Sequence, residues 1–444
     1  MREAYDSWVS GASVELGELF LSSEDGLASG VLALDTRVLE VVRHLGKAVV
    51  SHVLNRLAVR LAEARKAEGF TTHRSGRCSV RTVLGVVEVT SPYLRHPKSK
   101  VGARPTKDGL GLSGSMKMPG VVRALTDFGA EESFANAARR FEEHYGQEVG
   151  RTSVLRVVEG IAREADKYVS DRLEMAKAAF EEPPAVRPGK EQILVELDGS
   201  MVRTGTFVPA PEAGKTAVRK LPKRRREEAW RETRVGFARV VDEVERTYVA
   251  RLDSLDAVAG ELFGAAVERG LSEATQVFAV ADGGNGIREA LDAHFSRLKF
   301  LLDRPHLKSH IFDTAEARGI HVDKRAEWVA GVLCLIDGGD VAEVIAGLEG
   351  FTGQGAERAH RFAGFLRRYE DALGYVDAYN QGLPLGSGEI ESAHRYIPQK
   401  RLKLPGTWWS TNTVQPMLAL RVLRANEWWH DFWRQRQPPT RAAA

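Results

Sequence analysis

The chain has 444 residues, of which 43% are hydrophobic and 28% charged, and its formal net charge is +3. These values are typical of a globular protein with about two to four domains. The small net charge excludes a nucleic-acid partner attracted by overall charge, so any such interaction must depend on where the basic residues lie. Without a leader segment or a long uninterrupted apolar run, we expect neither secretion nor a membrane partner. Two cysteines, Cys78 and Cys334, form no metal-type cluster, which predicts a cytosolic protein with reduced thiols.

Residues 1–70 are predicted to form a helical N-terminal region. From Asp35 to Glu68 apolar residues recur at helical spacing, which predicts one long or two shorter amphipathic helices. The apolar positions are Val38, Val42, Leu45, Val49, Val53, Leu57 and Leu61. Packing or self-association is the interpretation that this stripe favours.

Residues 71–190 are predicted to combine a small hairpin with a helical region. The stretch SVRTVLGVVEVTSPYLR, residues 79–95, is rich in β-branched residues and interrupted at Gly85, which predicts the hairpin. Two later helical patterns are separated near Gly146 to Gly150. They indicate either a DNA-binding helix-turn-helix with Arg151 and Arg156 on its second helix, or an ordinary helical bundle. The Pro-rich residues 181–190 then predict a linker.

From residue 191 onwards the pattern changes to strands and helices in the order βββαβαβ, which ends near residue 304. Residues 305–382 are mostly helical, and residues 383–444 contain the final acidic helix and a Trp-rich end. We therefore expect an α/β fold in which a mixed sheet flanked by helices is interrupted by an all-helical insertion.

Two aspartates each end a hydrophobic strand and precede a glycine: Asp198 in ILVELDG and Asp282 in QVFAVADGG. Adjacent strands would bring both carboxylates to one edge of the sheet, although Asp-Gly is also ordinary turn chemistry. Together with Glu391 at a predicted helix start, they match the metal-carboxylate arrangement of a ribonuclease-H-like core. Carboxylates suit Mg²⁺, and two such ions can run an in-line displacement on phosphorus.

The stretch GSGEIESAHRYIPQKRLK, residues 386–403, offers two candidate acids. A helix beginning near Glu389 places Glu391, His394 and Arg395 on one face, because residues three and four apart are neighbours. Glu391 is therefore the candidate catalytic acid, and Glu389 a first-turn residue near the positive helix end. His394 is a candidate for assisting proton transfer near the metals, with a structural role as the alternative.

Two basic clusters are candidates for contacting DNA. The segment KTAVRKLPKRRR contains no acid, and its charge indicates either a DNA backbone or a solvated loop. A second cluster follows Glu391, where it indicates either a track for phosphates or a solvated helix face. The first cluster comprises Lys215, Arg219, Lys220, Lys223, Arg224, Arg225 and Arg226, and the second Arg395, Lys400, Arg401 and Lys403.

Several motifs together resemble the DDE transposases of bacterial insertion sequences, most closely the ISKra/ISLre-like group. They are ELDGS (196–200), ADGG (281–284), LDRPH (302–306), GSGEIESAHRYIPQKRLKLPGTWWS (386–410) and MLALRVLRANEWWHDFW (417–433). The resemblance implies a catalytic triad of Asp198, Asp282 and Glu391, and it identifies His306 with a recurrent family position of unassigned role. It also implies hydrolytic cleavage at transposon ends followed by attack of the exposed 3′-hydroxyls on target DNA.

The same resemblance implies Mg²⁺, with Mn²⁺ as a substitute, as the cofactor. Double-stranded DNA would be the partner, bound by a homodimer or larger homo-oligomer in the bacterial cytoplasm or on the nucleoid. One departure concerns zinc: PYLRHPKSK stands where related proteins often have a Tyr-Tyr-Cys-x-x-Cys element, so we predict no zinc site there. A structure-selective nuclease on the same fold, or a catalytically idle DNA-binding protein derived from a transposase, are the alternatives.

Overall fold

A computed structural model describes residues 2–22, 34–112, 116–182, 189–209, 224–284 and 286–436. The chain divides into two compact units. The first unit comprises Met1–Phe128 and Ala135–Val154, and the second comprises Gly129–Phe134 and Leu155–Ala444. None of the described helices combines the length and apolar character needed to cross a bilayer. The domain boundaries expected near residues 70, 190, 304 and 382 stay predictions.

The first unit begins with helices and continues with short strands. Its elements are α1 (Arg2–Ser22), α2 (Leu34–Ala67), β1 (Thr71–Arg74), β2 (Arg77–Thr82), β3 (Gly85–Thr90), β4 (Tyr93–Arg95), β5 (Gly102–Ala103) and α3 (Pro105–Gly109). Strands β2 and β3 form the expected antiparallel hairpin, and β1, β4 and β5 form a separate three-stranded sheet. The predicted N-terminal helix is therefore one long helix, α2, preceded by α1.

One face of α2 covers the β2–β3 hairpin. Leu54 and Ala58 are buried in a cluster with Val80 and Val87 of the hairpin. Asn55 fixes the contact, because its Nδ2 donates to the Glu88 carbonyl at 3.0 Å and its Oδ1 accepts from the Thr90 amide at 2.9 Å. Apolar burial and hydrogen bonds from the Asn55 side chain to the hairpin backbone thus join the helix to the hairpin.

Three helices follow: α4 (Pro119–Glu131), α5 (Phe134–Tyr145) and α6 (Arg151–Glu181). The turn between α5 and α6 contains Gly146, whose φ of 63° lies in the left-handed region that favours glycine. The predicted helix, glycine turn and helix are therefore present. Arg151 and Arg156 are both exposed on α6, and their contact with DNA stays a prediction.

A mixed five-stranded sheet flanked by helices forms the centre of the second unit. Its elements are β6 (Gln192–Pro209), β7 (Arg224–Val240), β8 (Thr247–Arg251), α7 (Leu255–Glu268), β9 (Gln276–Ala281), α8 (Ile287–His294) and β10 (Leu298–Leu302). The strand order is β10-β9-β6-β7-β8, in which β6, β7 and β8 are antiparallel while β9 and β10 run parallel to β6. This is the βββαβαβ order that the sequence predicts.

Strands β6 and β7 are longer than the sequence indicates. They pair from Ile193↔Val240 to Pro209↔Arg224, whereas β9 pairs with β6 only as far as Glu196. The distal parts of the two strands, residues 201–209 and 224–232, therefore form a two-stranded extension, here called the ribbon. Trp409 secures one edge of the ribbon: its amide donates to the Arg203 carbonyl at 3.0 Å, and its carbonyl accepts from the Gly205 amide at 2.8 Å.

After β10 the described residues are helical until the closing segment. These helices are α9 (Arg304–Ala317), α10 (Val322–Gly338), α11 (Val341–Glu349), α12 (Ala356–Arg368), a 3₁₀ turn (Glu370–Ala372) and α13 (Tyr375–Asn380). The closing segment comprises α14 (Gly388–His394), a π-helical turn (Arg395–Gln399), α15 (Lys400–Leu402), α16 (Thr411–Ala425) and α17 (Trp429–Gln435). Trp428, Trp429 and Trp433 are buried, so these residues of the Trp-rich end pack in the core.

Candidate active site

Asp198 and Asp282 lie at the same register of two adjacent parallel strands. The β6–β9 pairing runs from Gln192↔Gln276 to Glu196↔Val280, and the same offset carried two residues further relates Asp198 to Asp282. Asp198 lies within β6, and Asp282 directly follows β9. Both carboxylates therefore emerge at one edge of the sheet, as expected from the sequence.

The glycines after Asp282 build a tight turn. Asp282 Oδ1 accepts from the Gly284 amide at 2.7 Å, and Gly283 has a φ of 77°. A Cβ on Gly283 would meet the side chains of Leu302 and Tyr369, so glycine is required by space as well as by conformation. The Tyr369 hydroxyl donates to the Gly283 carbonyl at 2.9 Å. The residue just after α12 thus supports the turn that carries Asp282.

Alternate residues of β6 contact the closing segment that carries Glu391. Glu196 Oε2 accepts from the Ile390 amide at 2.9 Å. Ser200 Oγ accepts from Lys403 Nζ at 2.5 Å, and Asp198 Oδ2 lies 3.1 Å from His394 Nε2. Because side chains two apart in a strand share a face, this row positions the closing segment along β6.

The first turn of α14 is fixed from two further directions. Asp303 directly follows β10; its Oδ1 accepts from the His306 amide at 2.7 Å, and its Oδ2 accepts from the Ser387 amide at 2.7 Å. On the other side, Glu389 accepts from Arg239 Nη2 at 2.7 Å and from Arg246 Nε at 2.9 Å. Asp303 therefore stabilises the fold by joining the start of α9 to the residue that precedes α14.

Glu391 is exposed and points away from these anchors. A helix turns about 100° per residue, so Glu391 lies about 200° around α14 from Glu389. Glu389 faces Arg239 of β7, on one side of β6, whereas β9 and Asp282 lie on the other side. Glu391 thus lies on a different face of α14 from the one through which Glu389 contacts β7.

His394 is buried, and it is the residue of α14 that contacts Asp198. Among the described residues neither of its ring nitrogens has a well-aligned hydrogen-bond partner, although Nε2 lies 3.1 Å from Asp198 Oδ2. Burial would raise the pKa of Asp198, but His394, the Gly199 amide and His306 outweigh this effect and hold the pKa below its ordinary value. Asp198 is therefore ionised at neutral pH, as a metal ligand must be.

His306 and His310 lie one turn apart on α9, with ring centroids 6.2 Å apart. Burial lowers the pKa of His310, and Arg358 and His306 lower it further. Arg358 Nη2 lies 3.2 Å from His310 Nδ1, which fits a neutral ring that accepts a hydrogen bond at this atom. His306 lowers the pKa of Asp198, and Asp282 opposes the lowering of the pKa of His310. Helix α9 therefore faces the sheet edge at which Asp198 and Asp282 emerge.

Glu196 is a fully buried acid beside the candidate site. Burial raises its pKa to about 8, against the opposing effect of the Ile390 amide. Its carboxyl is therefore mostly protonated at neutral pH. A protonated Glu196 adds no negative charge next to Asp198. Its hydrogen bond with the Ile390 amide holds α14 against β6.

The donor chemistry of Asp198 and Asp282 fits Mg²⁺, which prefers carboxylate oxygens. One oxygen of each carboxylate is engaged by a backbone amide, that of Gly199 for Asp198 and that of Gly284 for Asp282. Within the described ranges no three His, Cys, Asp or Glu side chains are gathered closely enough to hold a metal ion. The two strands thus supply two suitable ligands without a preassembled third.

The basic residues after Glu391 have different environments. Arg395 is exposed, Lys400 pairs with Glu131, and Lys403 lies beside Ser200 near Asp198. Arg401 contradicts its predicted role: it is 2% exposed, donates from Nε to the Gly129 carbonyl at 2.9 Å and packs between the rings of Phe134 and Trp409. A guanidinium buried in this way cannot reach a DNA phosphate, so Arg401 is a packing residue.

The first basic cluster falls mainly outside the described residues. Lys215, Arg219, Lys220 and Lys223 lie there, whereas Arg224, Arg225 and Arg226 begin β7. Arg225 and Arg226 are exposed, and Arg226 pairs with Glu228 and lies over the ring of Trp408. Their contact with DNA stays a prediction.

Several residues of the site were not identified from sequence: Glu196, Ser200, Arg239, Arg246 and His310. Glu196 and Ser200 carried a usable signal, because strand alternation places them on the face of Asp198. His310 also carried one, since it follows His306 by four residues on a predicted helix. Arg239 and Arg246 lie about 150 residues before Glu389, and no local pattern connects them.

No protein-family profile matches the chain, and no curated protein matches its sequence. Among solved structures, the chain is similar to one described as "Drosophila P element transposase strand transfer complex". The sequence identity is 10%, the similarity covers 74% of this chain and 84% of that chain, and the TM-score is 0.25.

Proposed function

We propose that the chain is a metal-dependent DDE transposase with a ribonuclease-H-like catalytic core, which binds insertion-sequence ends and catalyses DNA strand cleavage and strand transfer. One observation carries the proposal: parallel register brings Asp198 and Asp282 to one sheet edge, and β6 holds the helix of Glu391 beside that edge. The strand order β10-β9-β6-β7-β8 supports the ribonuclease-H-like assignment. The motifs that resemble the ISKra/ISLre-like group support the finer one.

In this proposal Asp198, Asp282 and Glu391 would hold Mg²⁺, or Mn²⁺ as a substitute. Bound metal would supply charge stabilisation and activation of the attacking oxygen in phosphodiester displacement. His394 is a positioning residue, since it keeps Asp198 ionised and fixes α14 against β6. Lys403, whose Nζ is held beside Ser200 next to Asp198, would offset the negative charge of the phosphate.

Double-stranded DNA, as transposon ends and as target, would be the partner. Arg395, Lys400 and Lys403 would contact phosphates near the cleaved bond, and residues 215–226 would contact a more distant part of the duplex. Arg151 and Arg156 would read or position DNA from α6. In this proposal the protein acts in the bacterial cytoplasm and lies on the nucleoid when it is bound to DNA.

The test incubates purified protein with candidate element ends and Mg²⁺, after removal of bound metal with a chelator. Strand-transfer products are expected, and Mn²⁺ should also restore them. Cleavage without joining would indicate a nuclease, and binding without cleavage an idle DNA-binding protein. Asp198→Asn and Asp282→Asn should each abolish both steps, whereas Asp323→Asn, at an exposed position of α10, should leave them unchanged. Full cleavage by either active-site variant would contradict the assignment.

A further inference from the structure

Helix α2 exposes a continuous apolar stripe on the side opposite the hairpin. Val38, Val42, Leu45 and Val49 are 39%, 49%, 44% and 52% exposed, although each is large and apolar. Leu54, Ala58 and Ala62 point to the other side and are buried. An apolar row on both faces of a helix indicates that the second face also packs against something.

The stripe has the spacing of a coiled-coil seam. Its four residues are separated by four, three and four positions, which is the alternation of a and d positions in a heptad. Leu34, Leu39 and Val53 flank the seam and are also exposed, at 45%, 47% and 56%. From Leu34 to Val53 the apolar surface extends about 28 Å along the helix.

The polar residues at the two ends of the seam favour one relative direction of two paired α2 helices. Continuing the heptad places Asp35 one step before Val38, and His52 and Arg56 after Val49. A parallel pair of α2 helices would stack Asp35 on Asp35 and Arg56 on Arg56, and like charges at these positions oppose pairing. An antiparallel pair places the acidic end of each helix against the basic end of the other.

We infer that α2 pairs with α2 of a second copy of this chain in an antiparallel, two-fold symmetric coiled coil. One register pairs all four apolar seam positions: Val38 faces Val49 of the second copy and Val42 faces Leu45, while Asp35 faces His52. Shifting the register by one heptad would instead place Val38 against Arg56 and Val42 against His52. The pairing is isologous, so it closes at two copies. It does not depend on the proposed chemistry.

The oligomeric state is measured by size-exclusion chromatography with light scattering, without DNA and at tens of micromolar protein. The expected mass is twice 48.9 kDa. Val42→Glu and Leu45→Glu should each give the mass of one chain while keeping the helical circular dichroism of the wild type. Val244→Glu is the matched control, because Val244 is 81% exposed in the second unit, and it should stay dimeric. A wild-type monomer, or dimers that survive both seam substitutions, would overturn the inference.

Disulfide trapping tests the direction of the helices in a Cys334→Ser background, which removes the exposed native thiol. Val38→Cys and Val49→Cys proteins are purified separately with tags of different size, mixed and oxidised. The antiparallel register predicts a cross-linked heterodimer from the mixture and little cross-linking of either protein alone. Efficient cross-linking of Val38→Cys with itself would indicate a parallel pair and contradict the proposed register.

Discussion

Glu389 and Glu391 stand two positions apart on α14 in opposite environments. Glu389 accepts hydrogen bonds from Arg239 and Arg246, and these contacts hold its pKa below the ordinary value although burial opposes them. Glu391 is exposed on the same helix, without any such anchor among the described contacts. Two similar carboxylates therefore have separable roles: Glu389 anchors the helix, and Glu391 is available to a ligand.

This contrast predicts a split between stability and activity. Glu389→Gln should lower the free energy of unfolding by about 2 kcal/mol, because charge-assisted hydrogen bonds of a half-buried carboxylate are weakened. Glu391→Gln should change it by less than about 0.5 kcal/mol, as is usual for exposed positions. Urea denaturation measures the changes in stability, and cleavage of element ends measures the changes in activity. We expect Glu391→Gln to abolish cleavage, while folded Glu389→Gln retains most of it.

One outcome would contradict the separate roles of Glu389 and Glu391. If Glu389→Gln abolished cleavage while its urea midpoint matched that of the wild type, Glu389 would be the acid that acts on the substrate. Loss of stability together with loss of cleavage is resolved by assaying at a lower temperature, where the folded fraction of the variant is restored.

Glu131 predicts how stability responds to acid. Burial would raise its pKa, but Lys400 and Arg421 outweigh this effect and lower the pKa below the ordinary 4.5. A carboxyl with a depressed folded-state pKa contributes stability that is complete above its unfolded pKa and is lost as pH falls through the folded value. Glu131→Gln should therefore be less stable than the wild type at neutral pH, and the difference should shrink below about pH 4.5.

Urea unfolding at a series of pH values between about 3 and 7 measures this difference. Glu327→Gln serves as the control, since the Glu327 side chain is 75% exposed in a surface pair with Lys324. Its effect should be small at every pH. A Glu131→Gln difference that stayed constant down to pH 3 would show that the ion pairs of Glu131 do not carry the effect.

The ribbon formed by residues 201–209 and 224–232 extends beyond the part of the sheet in which β9 pairs with β6 and β8 pairs with β7. Cross-strand register places Phe207 opposite Arg226, and Trp230 opposite Arg203, on one face. Phe207 and Trp230 are 54% and 64% exposed, and the Trp408 ring packs on the same face. Arg203 and Arg226 both pair with Glu228 on this face. The exposed rings, which can stack on unpaired bases, are therefore the groups that would serve the proposed DNA binding.

Trp230→Ala should therefore weaken DNA binding more than it affects folding. We expect unfolding free energy within about 0.5 kcal/mol of the wild type. Affinity for an end with unpaired flanking bases should fall about tenfold, since stacking on one base is worth about 1 to 3 kcal/mol. Fluorescence anisotropy measures the affinity. Tyr379→Ala, which removes a 73% exposed ring from α13, is the matched control and should bind normally.

At this scale the sequence predicted the elements whose burial is periodic. The order βββαβαβ was predictable because each strand and helix has an apolar face, and Asp-Gly marks two strand ends. The extension of β6 and β7 was not, since SMVRTGTFVP mixes apolar and polar residues without regular alternation and RRREEAWRET is mostly charged. Their conformation depends on pairing with each other and on Trp409.

The environment of Arg401 was unpredictable for a related reason. A basic residue on a short helix is normally solvated, and its partners Gly129 and Phe134 lie far away in sequence. The placement of Asp198 and Asp282 at one edge of the sheet, by contrast, was predictable, because parallel register follows from the element order. Tertiary packing decides which charged side chains stay exposed, and a local sequence pattern does not predict this.

For the whole molecule, the formal net charge of +3 is too small to drive the proposed binding to DNA. Seven of the twelve residues from Lys215 to Arg226 are basic and none is acidic. If these residues contact phosphates, affinity should depend steeply on salt, because each neutralised phosphate contributes about 0.9 to the slope of log K against log salt. The distribution of charge, and not its sum, would then control affinity.

Two variants with the same formal net charge separate these effects. Replacing Lys220, Lys223 and Arg224 with Gln should lower the salt slope on a random-sequence duplex by about 2 to 3. Replacing Lys324, Arg361 and Arg367 with Gln removes three exposed charges from surface ion pairs and should leave the slope unchanged. Each variant has a formal net charge of 3 − 3 = 0, so equal losses would show that overall charge controls binding and that residues 215–226 do not contact DNA.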